Sequence, residues 1–321
     1  MADWRRETAL DRGVHTRRDK SFAEGSGTMS QMLVGVTGAT GLVGGTAARL
    51  LAERGIAQRL IVRDPARAPR LGAGVEVRQA ADYGAADDMK RALEGLDTLL
   101  LIPGREHPDR VRQHFTAVDA AVAAGLRRIV YISFMGASPV ATFTLARQHW
   151  ETEQHIRARG LTWTFLRMSL YLDFVPTMVS PVGEIAGPAD DGRLAAVLRA
   201  DVAAAAVAVI AGAGHDGRTY NLTGRESFTM TEAAETMSRI SGKPITFRDE
   251  TVQEAYASRA VYDAPDWQVE GWVSSYQAIA SGELSAVTGA VKRLTGREPA
   301  TLSEYIGAHP ESLAHVVARS G

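Results

Sequence analysis

The stretch "LVGVTGATGLVGGTAARLL", residues 33–51, places Gly38, Gly41 and Gly44 at intervals of three, directly after a short apolar run and directly before a helical one. Glycine weakens any helix or strand that contains it. A chain keeps three in this register where backbone must turn tightly or come close to something else. A helix N-terminus at such a junction offers unpaired N–H groups and the positive end of its dipole to an anion. The glycines let backbone approach a pyrophosphate, and the last lets the helix pack against the strand. Gly38, Thr40, Gly41, Leu42, Val43 and Gly44 are therefore the candidate phosphate cradle of a dinucleotide. The alternative is a glycine-rich turn without a ligand.

The rest of the chain supplies the context such a cradle needs. Met32–Val36 reads as a strand, and Val43, Ala47, Leu50 and Leu51 share one face of a helix that Gly55 ends. Further strands are expected at 59–62 ("RLIV"), 75–80 ("VEVRQA"), 98–102 ("TLLLI"), 128–132 ("RIVYI") and 162–167 ("TWTFLR"), with another helical stripe at Val111, Phe115, Val118 and Val122. Strands that are apolar throughout are buried on both faces, which predicts a doubly wound α/β fold around a parallel sheet. The alanine-rich run 202–214 is too short to span a bilayer and reads as a buried helix starting near Asp201. After it, "TYNL" at 219–222 predicts one more strand. Residues 31–170 are expected to form the nucleotide-binding domain, joined by the strand at 219–222, and 171–321 mostly a smaller substrate lobe. Residues 1–30 mix both charge signs without an apolar stretch, which argues against a secretory signal and reads as a disordered extension.

The end of the second strand discriminates between nucleotides. An acid there holds ribose hydroxyls, whereas an arginine suits a 2′-phosphate. Here "IVRDP" puts Arg63 first and Asp64 next, which favours NADPH and leaves NADH open. Asp82, after the third strand, is placed to accept from an adenine amino group, or else to cap a turn. Ile102 and Pro103 end the fourth strand, where a flat apolar wall would border the adenosine.

Composition removes several classes. With no cysteine there is no disulfide, thiolate catalysis or Cys-based metal site, and a reducing cytoplasm is compatible. A net charge of −1 gives no general pull toward nucleic acid or membrane. The eight histidines show no metal-ligand spacing, so no metal site is expected.

Together, "VTGATGLVG", "IVRDPARA", "VRQAADYG", "HWETEQHIRARGLTWTFLRMSLY" and "RADVAAAA" resemble the NmrA-like atypical short-chain dehydrogenases, above all the bacterial quinone oxidoreductases of the second type and triphenylmethane reductase. The resemblance runs from about Met32 to about Tyr305 and is looser after the first two hundred residues. It implies a Rossmann-type core, bound NADPH, a C-terminal lobe over the nicotinamide, a small-molecule substrate and, since members often dimerise, a possible homodimer; with no apolar leader in residues 1–30 and no cysteine, the expected location is the cytoplasm.

Ordinary short-chain dehydrogenases protonate a carbonyl through Tyr-x-x-x-Lys, the lysine lowering the tyrosine's pKa. This chain has only Lys20, Lys90, Lys243 and Lys292, preceded four residues earlier by Thr16, Ala86, Arg239 and Thr288, so the pair is absent. The resemblance puts His149 at the lysine position and Leu145 at the tyrosine position. It implies that His149 contacts the nicotinamide ribose and delivers a proton, that Ser133 contacts the cofactor, and that Tyr171 donates a hydrogen bond to substrate. It also implies an apolar pocket floor at Phe134 and Met135. Competing readings are a surface histidine beside Trp150 and a structural Tyr171. Trp267 and Trp272 either line the pocket mouth or anchor a helix, and Glu151 and Glu153 are expected to be solvated. Without a strong acid the natural acceptors are quinones, iminium ions or related conjugated molecules, because a simple ketone would yield an unprotonated alkoxide. The missing pair also fits a cofactor-binding redox sensor, and fold alone leaves an isomerase open.

Overall fold

The computed structural model describes residues 32–317, so the reading of 1–30 as an extension lies outside the described residues. The chain alternates strand and helix from the start: β1 Val34–Thr37, α1 Leu42–Glu53, β2 Gln58–Val62, β3 Val75–Gln79, α2 Ala86–Leu93, β4 Thr98–Leu101, α3 Arg110–Ala123, β5 Arg128–Phe134, α4 Thr144–Ala158 and β6 Thr162–Met168. The second half carries β7 Glu184–Gly187, α5 Arg199–Ala211, β8 Arg218–Leu222, α6 Met230–Ser241, β9 Thr246–Asp249, α7 Val252–Arg259, α8 Asp266–Ala280, α9 Ala290–Thr295 and α10 Leu302–Ala308.

Seven strands form one parallel sheet in the order β3-β2-β1-β4-β5-β6-β8. The chain order reverses between β1 and β4, which opens a crevice at the C-terminal ends of those strands. This is the doubly wound, Rossmann-type sheet that the apolar strands predict, and β8 brings the "TYNL" segment into it beside β6. Strand alternation divides the core in two. Leu99, Leu101, Ile129, Tyr131 and Phe165 face the buried sides of α2, α3 and α4. Leu100, Val130, Ile132 and Leu166 face α1 and α5. The alanine-rich run is α5, almost wholly buried against α1. β7 and β9 pair in parallel as a separate two-stranded sheet.

Two local readings need correction. β3 is not apolar throughout: Val75 and Val77 are half-buried while Glu76, Arg78 and Gln79 are exposed. It is the sheet's edge strand, packed on one face only. The sequence reading also places no helix at 86–93, where α2 forms: Met89, Ala92 and Leu93 lie at helical spacing on its buried face, but the segment is only eight residues long and otherwise mostly charged.

Candidate cofactor cleft and acceptor site

The glycine turn has the backbone that its spacing predicts. Gly38 sits at φ +62°, in the left-handed region that a side chain disfavours. The Gly41 N–H donates to the Gly38 carbonyl at 2.9 Å, closing the turn. A Cβ on Gly44 would lie 2.4 Å from the Gly38 oxygen, so helix and turn touch backbone to backbone. α1 then starts with no side-chain cap and no acid in its first turn. The N–H groups of Leu42, Val43 and Gly44 belong to that first turn, where a helix has no internal partner to give them.

In front of this turn lies a cleft of about 750 Å³. Gly38, Thr40, Gly41, Leu42, Arg63, Asp82, Ile102 and Pro103 all line it. Val43 and Gly44 are buried in the first turn of α1 and do not line it. Arg63 is exposed and takes part in none of the ion pairs among the described residues. Its neighbour Asp64 turns away, accepting from the Ala66 N–H at 3.0 Å to cap the short turn Pro65–Arg67. Asp82 accepts from the Gly84 N–H at 2.6 Å, the turn-capping contact, and also lines the cleft. Tyr83 Oη donates to the Ile102 carbonyl at 2.6 Å and fixes the end of β4 against the loop after β3.

Behind the cleft wall, β5 and α4 arrange the other expected site residues differently. Ser133 is fully buried, and its hydroxyl donates to Glu153 Oε1 at 2.6 Å. Glu153 is not solvated as its charge suggests. It has no exposed surface and receives both Nε and Nη2 of Arg167, at 2.8 and 2.6 Å. Glu151, two residues earlier, is exposed. Phe134 and Met135 are buried in the core, with Phe134 packed on the Phe143 ring at 4.8 Å.

His149 is 3 % exposed, which excludes the surface reading. Its Nε2 lies 3.0 Å from Nη2 of Arg110 and its Nδ1 2.8 Å from Tyr131 Oη. A guanidinium only donates, so Nε2 accepts and the single ring proton of neutral His149 sits on Nδ1. The same logic fixes His114, whose Nε2 accepts from the Gly104 N–H at 2.9 Å while Nδ1 meets Thr152 Oγ1 at 3.0 Å. Sequence reasoning named neither Arg110 nor His114, and neither sits in a motif that would mark it.

Burial, with Arg110 second, pushes His114 down to about 3 and holds His149 well below the ordinary imidazole value. The unfolded chain protonates both below about 6.5, whereas the folded chain protonates them only at much lower pH. Stability is therefore complete above about 6.5 and declines as pH falls toward the folded values. For His114 alone the loss at pH 5 is about 2 kcal/mol. Thermal midpoints measured from pH 8 to pH 5 should fall once pH drops below about 6.5, and fall less in His114→Gln. A flat profile to pH 5 would contradict this assignment.

Tyr171 is half-buried, and the Arg199 guanidinium lies 4.1 Å over its ring. Arg199 pairs with Asp173 at 2.8 Å and lines the cleft, so Tyr171 stands one side chain behind it. Burial pushes Tyr171 up to about 12, which keeps its proton in place at neutral pH. Trp272 packs against the small cluster of Ala255, Val269 and Val273 and meets the Tyr262 ring edge-on, an anchoring role for α8.

Residues 38–212 match the NAD(P)H-binding family. The chain is 36 % identical to the (4-alkanoyl-5-oxo-2,5-dihydrofuran-3-yl)methyl phosphate reductase of Streptomyces griseus over 286 residues, which cover 87 % of this chain and 98 % of that one. It superposes with a TM-score of 0.79 and 33 % identity on an NADPH-dependent quinone oxidoreductase from Escherichia coli complexed with NADPH, covering 86 % of this chain and 99 % of the other. The triphenylmethane reductase of Citrobacter sp., complexed with NADP(H), gives a TM-score of 0.76 and 30 % identity over 88 % of this chain and all of that one. A tight glycine turn at an uncapped helix start, an arginine without an ion pair lining the same cleft and these likenesses agree: the chain is an oxidoreductase of the NAD(P)H-binding family.

Proposed function

We propose that this protein reduces an electron-poor conjugated acceptor, such as a quinone or an iminium, with NADPH and without a dedicated strong acid. The observation that carries the reading is His149. At the position that the resemblance matches to the lysine of ordinary short-chain dehydrogenases, this chain has a buried imidazole, kept neutral, with both ring nitrogens already hydrogen-bonded.

The cleft fits the dinucleotide. The bare N-terminal turn of α1 would hold the pyrophosphate, since a Cβ at Gly44 would fill the contact that lets the helix approach. Arg63 would take the 2′-phosphate, Asp82 the adenine amino group, and Ile102 and Pro103 the apolar face of the adenosine. NADPH, when bound, supplies the hydride. Tyr171 keeps its phenolic proton and serves as a hydrogen-bond donor toward the acceptor end. Ser133 acts from behind the wall, tying the end of β5 to Glu153. His149 acts through Arg110 rather than on the nicotinamide ribose.

An acceptor that spreads the arriving electron pair over a conjugated system needs no proton in the transition state, whereas a simple ketone needs one. The printed activities of the relatives concern acceptors of the first kind. The working protein is read as a cytoplasmic homodimer acting on a small molecule; among the described residues no helix is long and apolar enough to cross a membrane. Steady-state oxidation of NADPH and NADH tests the reading. A naphthoquinone should be turned over with NADPH preferred, and a simple dialkyl ketone should not. Comparable rates with the ketone would overturn it.

A further inference from the structure

The reading above has His149 act through Arg110 but leaves the charge of Arg110 itself without a partner. The side chain is 5 % exposed. Its Nη1 donates to Gln148 Oε1 at 3.1 Å and its Nη2 to His149 Nε2 at 3.0 Å, both neutral partners. Its Nε has no partner at all. Among the described residues no carboxylate lies within ion-pair distance of it, whereas the other buried arginines, Arg59 and Arg259, and the partly buried Arg167 all have one. The titratable groups that surround it are Tyr83, Tyr131, Tyr171, His114, His149 and the exposed Glu106. The tyrosines are neutral at working pH and both histidines are held neutral. A guanidinium stays charged there. The wall behind the cleft thus contains a buried positive charge with no internal counterion, which a fold pays for only where something else balances it.

Its position indicates what does. Arg110 opens α3, and the chain on either side of it, at His107 and Gln113, lines the cleft. Tyr83, which lines the same cleft, and Tyr171, whose ring packs under cleft-lining Arg199, are both near enough to interact electrostatically with Arg110. The phosphate cradle is at α1, on another strand end.

We propose that Arg110 is the anion-receiving residue of the acceptor site, holding the oxyanion that forms when hydride reaches a conjugated carbonyl. This rests on the reductase reading above and narrows it to quinones and conjugated enones. Hydride adds to the conjugated system with its electron pair. The carbonyl π pair shifts onto oxygen, which becomes the oxyanion; NADPH is oxidised to NADP⁺ and water later supplies the proton. A preorganised cation aimed at a developing charge is worth most in a site closed to water. His149 is a positioning residue: as an acceptor fixed by Tyr131 it orients the guanidinium. A cationic acceptor, iminium or triarylmethane dye, gains nothing from Arg110 and is repelled by it.

The test uses full-length wild type, Arg110→Met and Arg110→Lys. With naphthoquinone, Arg110→Met should lower kcat by about 10²–10³-fold, with partial rescue in Arg110→Lys. The ratio of naphthoquinone to triarylmethane-dye turnover should fall with it, and NADPH affinity should hold. Independently of turnover, 4-nitrophenol bound to the protein–NADP⁺ complex should ionise at lower pH in wild type than in Arg110→Met, read from the phenolate colour. Equal losses with both acceptors, or matching nitrophenol titrations, would overturn the proposal. So would a loss confined to NADPH affinity, which would assign the anion to a cofactor phosphate. If wild type oxidises NADPH with no acceptor, the reductase reading fails, while the nitrophenol titration still decides whether Arg110 receives an anion.

Discussion

Arg167→Met is expected to destabilise the protein by about 3–5 kcal/mol, because it strands a buried carboxylate. Glu153 has no exposed surface and is held by three donors, two from Arg167 and one from Ser133. Removing the guanidinium leaves only the Ser133 hydroxyl. The reciprocal change is milder, since the Arg167 side chain retains 22 % exposure and can turn toward water. Replacing both partners with apolar residues of similar volume should recover most of the loss, as buried pairs commonly show. Urea midpoints of the two single variants and of Arg167→Met with Glu153→Leu check this. A loss below about 1 kcal/mol in Arg167→Met would mean that Glu153 finds another partner or a proton.

Gly44→Ala is expected to raise the Kd for NADPH by about 100-fold or more, equivalent to about 3 kcal/mol of binding. The added methyl would meet the Gly38 oxygen at 2.4 Å, the Gly38 carbonyl carbon at 2.6 Å and the Thr37 oxygen at 2.8 Å. All three are backbone atoms, so no side chain can rotate away and α1 must shift off the turn. Overpacking of this kind also lowers stability, by about 1–3 kcal/mol. Gly41→Ala separates the two effects. Its methyl would meet only the Gly38 oxygen, at 3.3 Å, so it should spare the fold and weaken NADPH by standing where the ligand's phosphate approaches. Fluorescence titration with NADPH, alongside thermal melting, measures both. Unchanged affinity in Gly44→Ala would remove the glycine turn from the binding site.

The cleft was legible in the sequence because a parallel sheet collects its ligand-facing residues at one place, the C-terminal ends of its strands. Once the strands were located, Arg63, Asp82, Ile102 and Pro103 followed from position alone, and the structure puts all four in one cleft with the glycine turn. The wall behind it was not legible. Arg110, His114, Glu153 and Arg167 are polar residues at helical or strand positions that read as solvated faces. Arg110, His114 and Glu153 are buried and Arg167 partly so because of how α3 and α4 pack on β5 and β6, which no local pattern records. Glu153 shows the point: its charge signals solvent until Arg167 and Ser133 are known to meet it. The same holds for His149, whose family position was legible but whose tautomer depends on Arg110.

A single-turnover experiment tests the central claim most directly. The protein would be saturated with NADPH, or with NADPH deuterated at the transferred position, and mixed anaerobically with a naphthoquinone. Nicotinamide absorbance should decay in step with appearance of the hydroquinone, and more slowly with the deuterated cofactor. Tight NADPH binding with no decay for any conjugated acceptor would contradict the account and identify a cofactor-binding sensor instead.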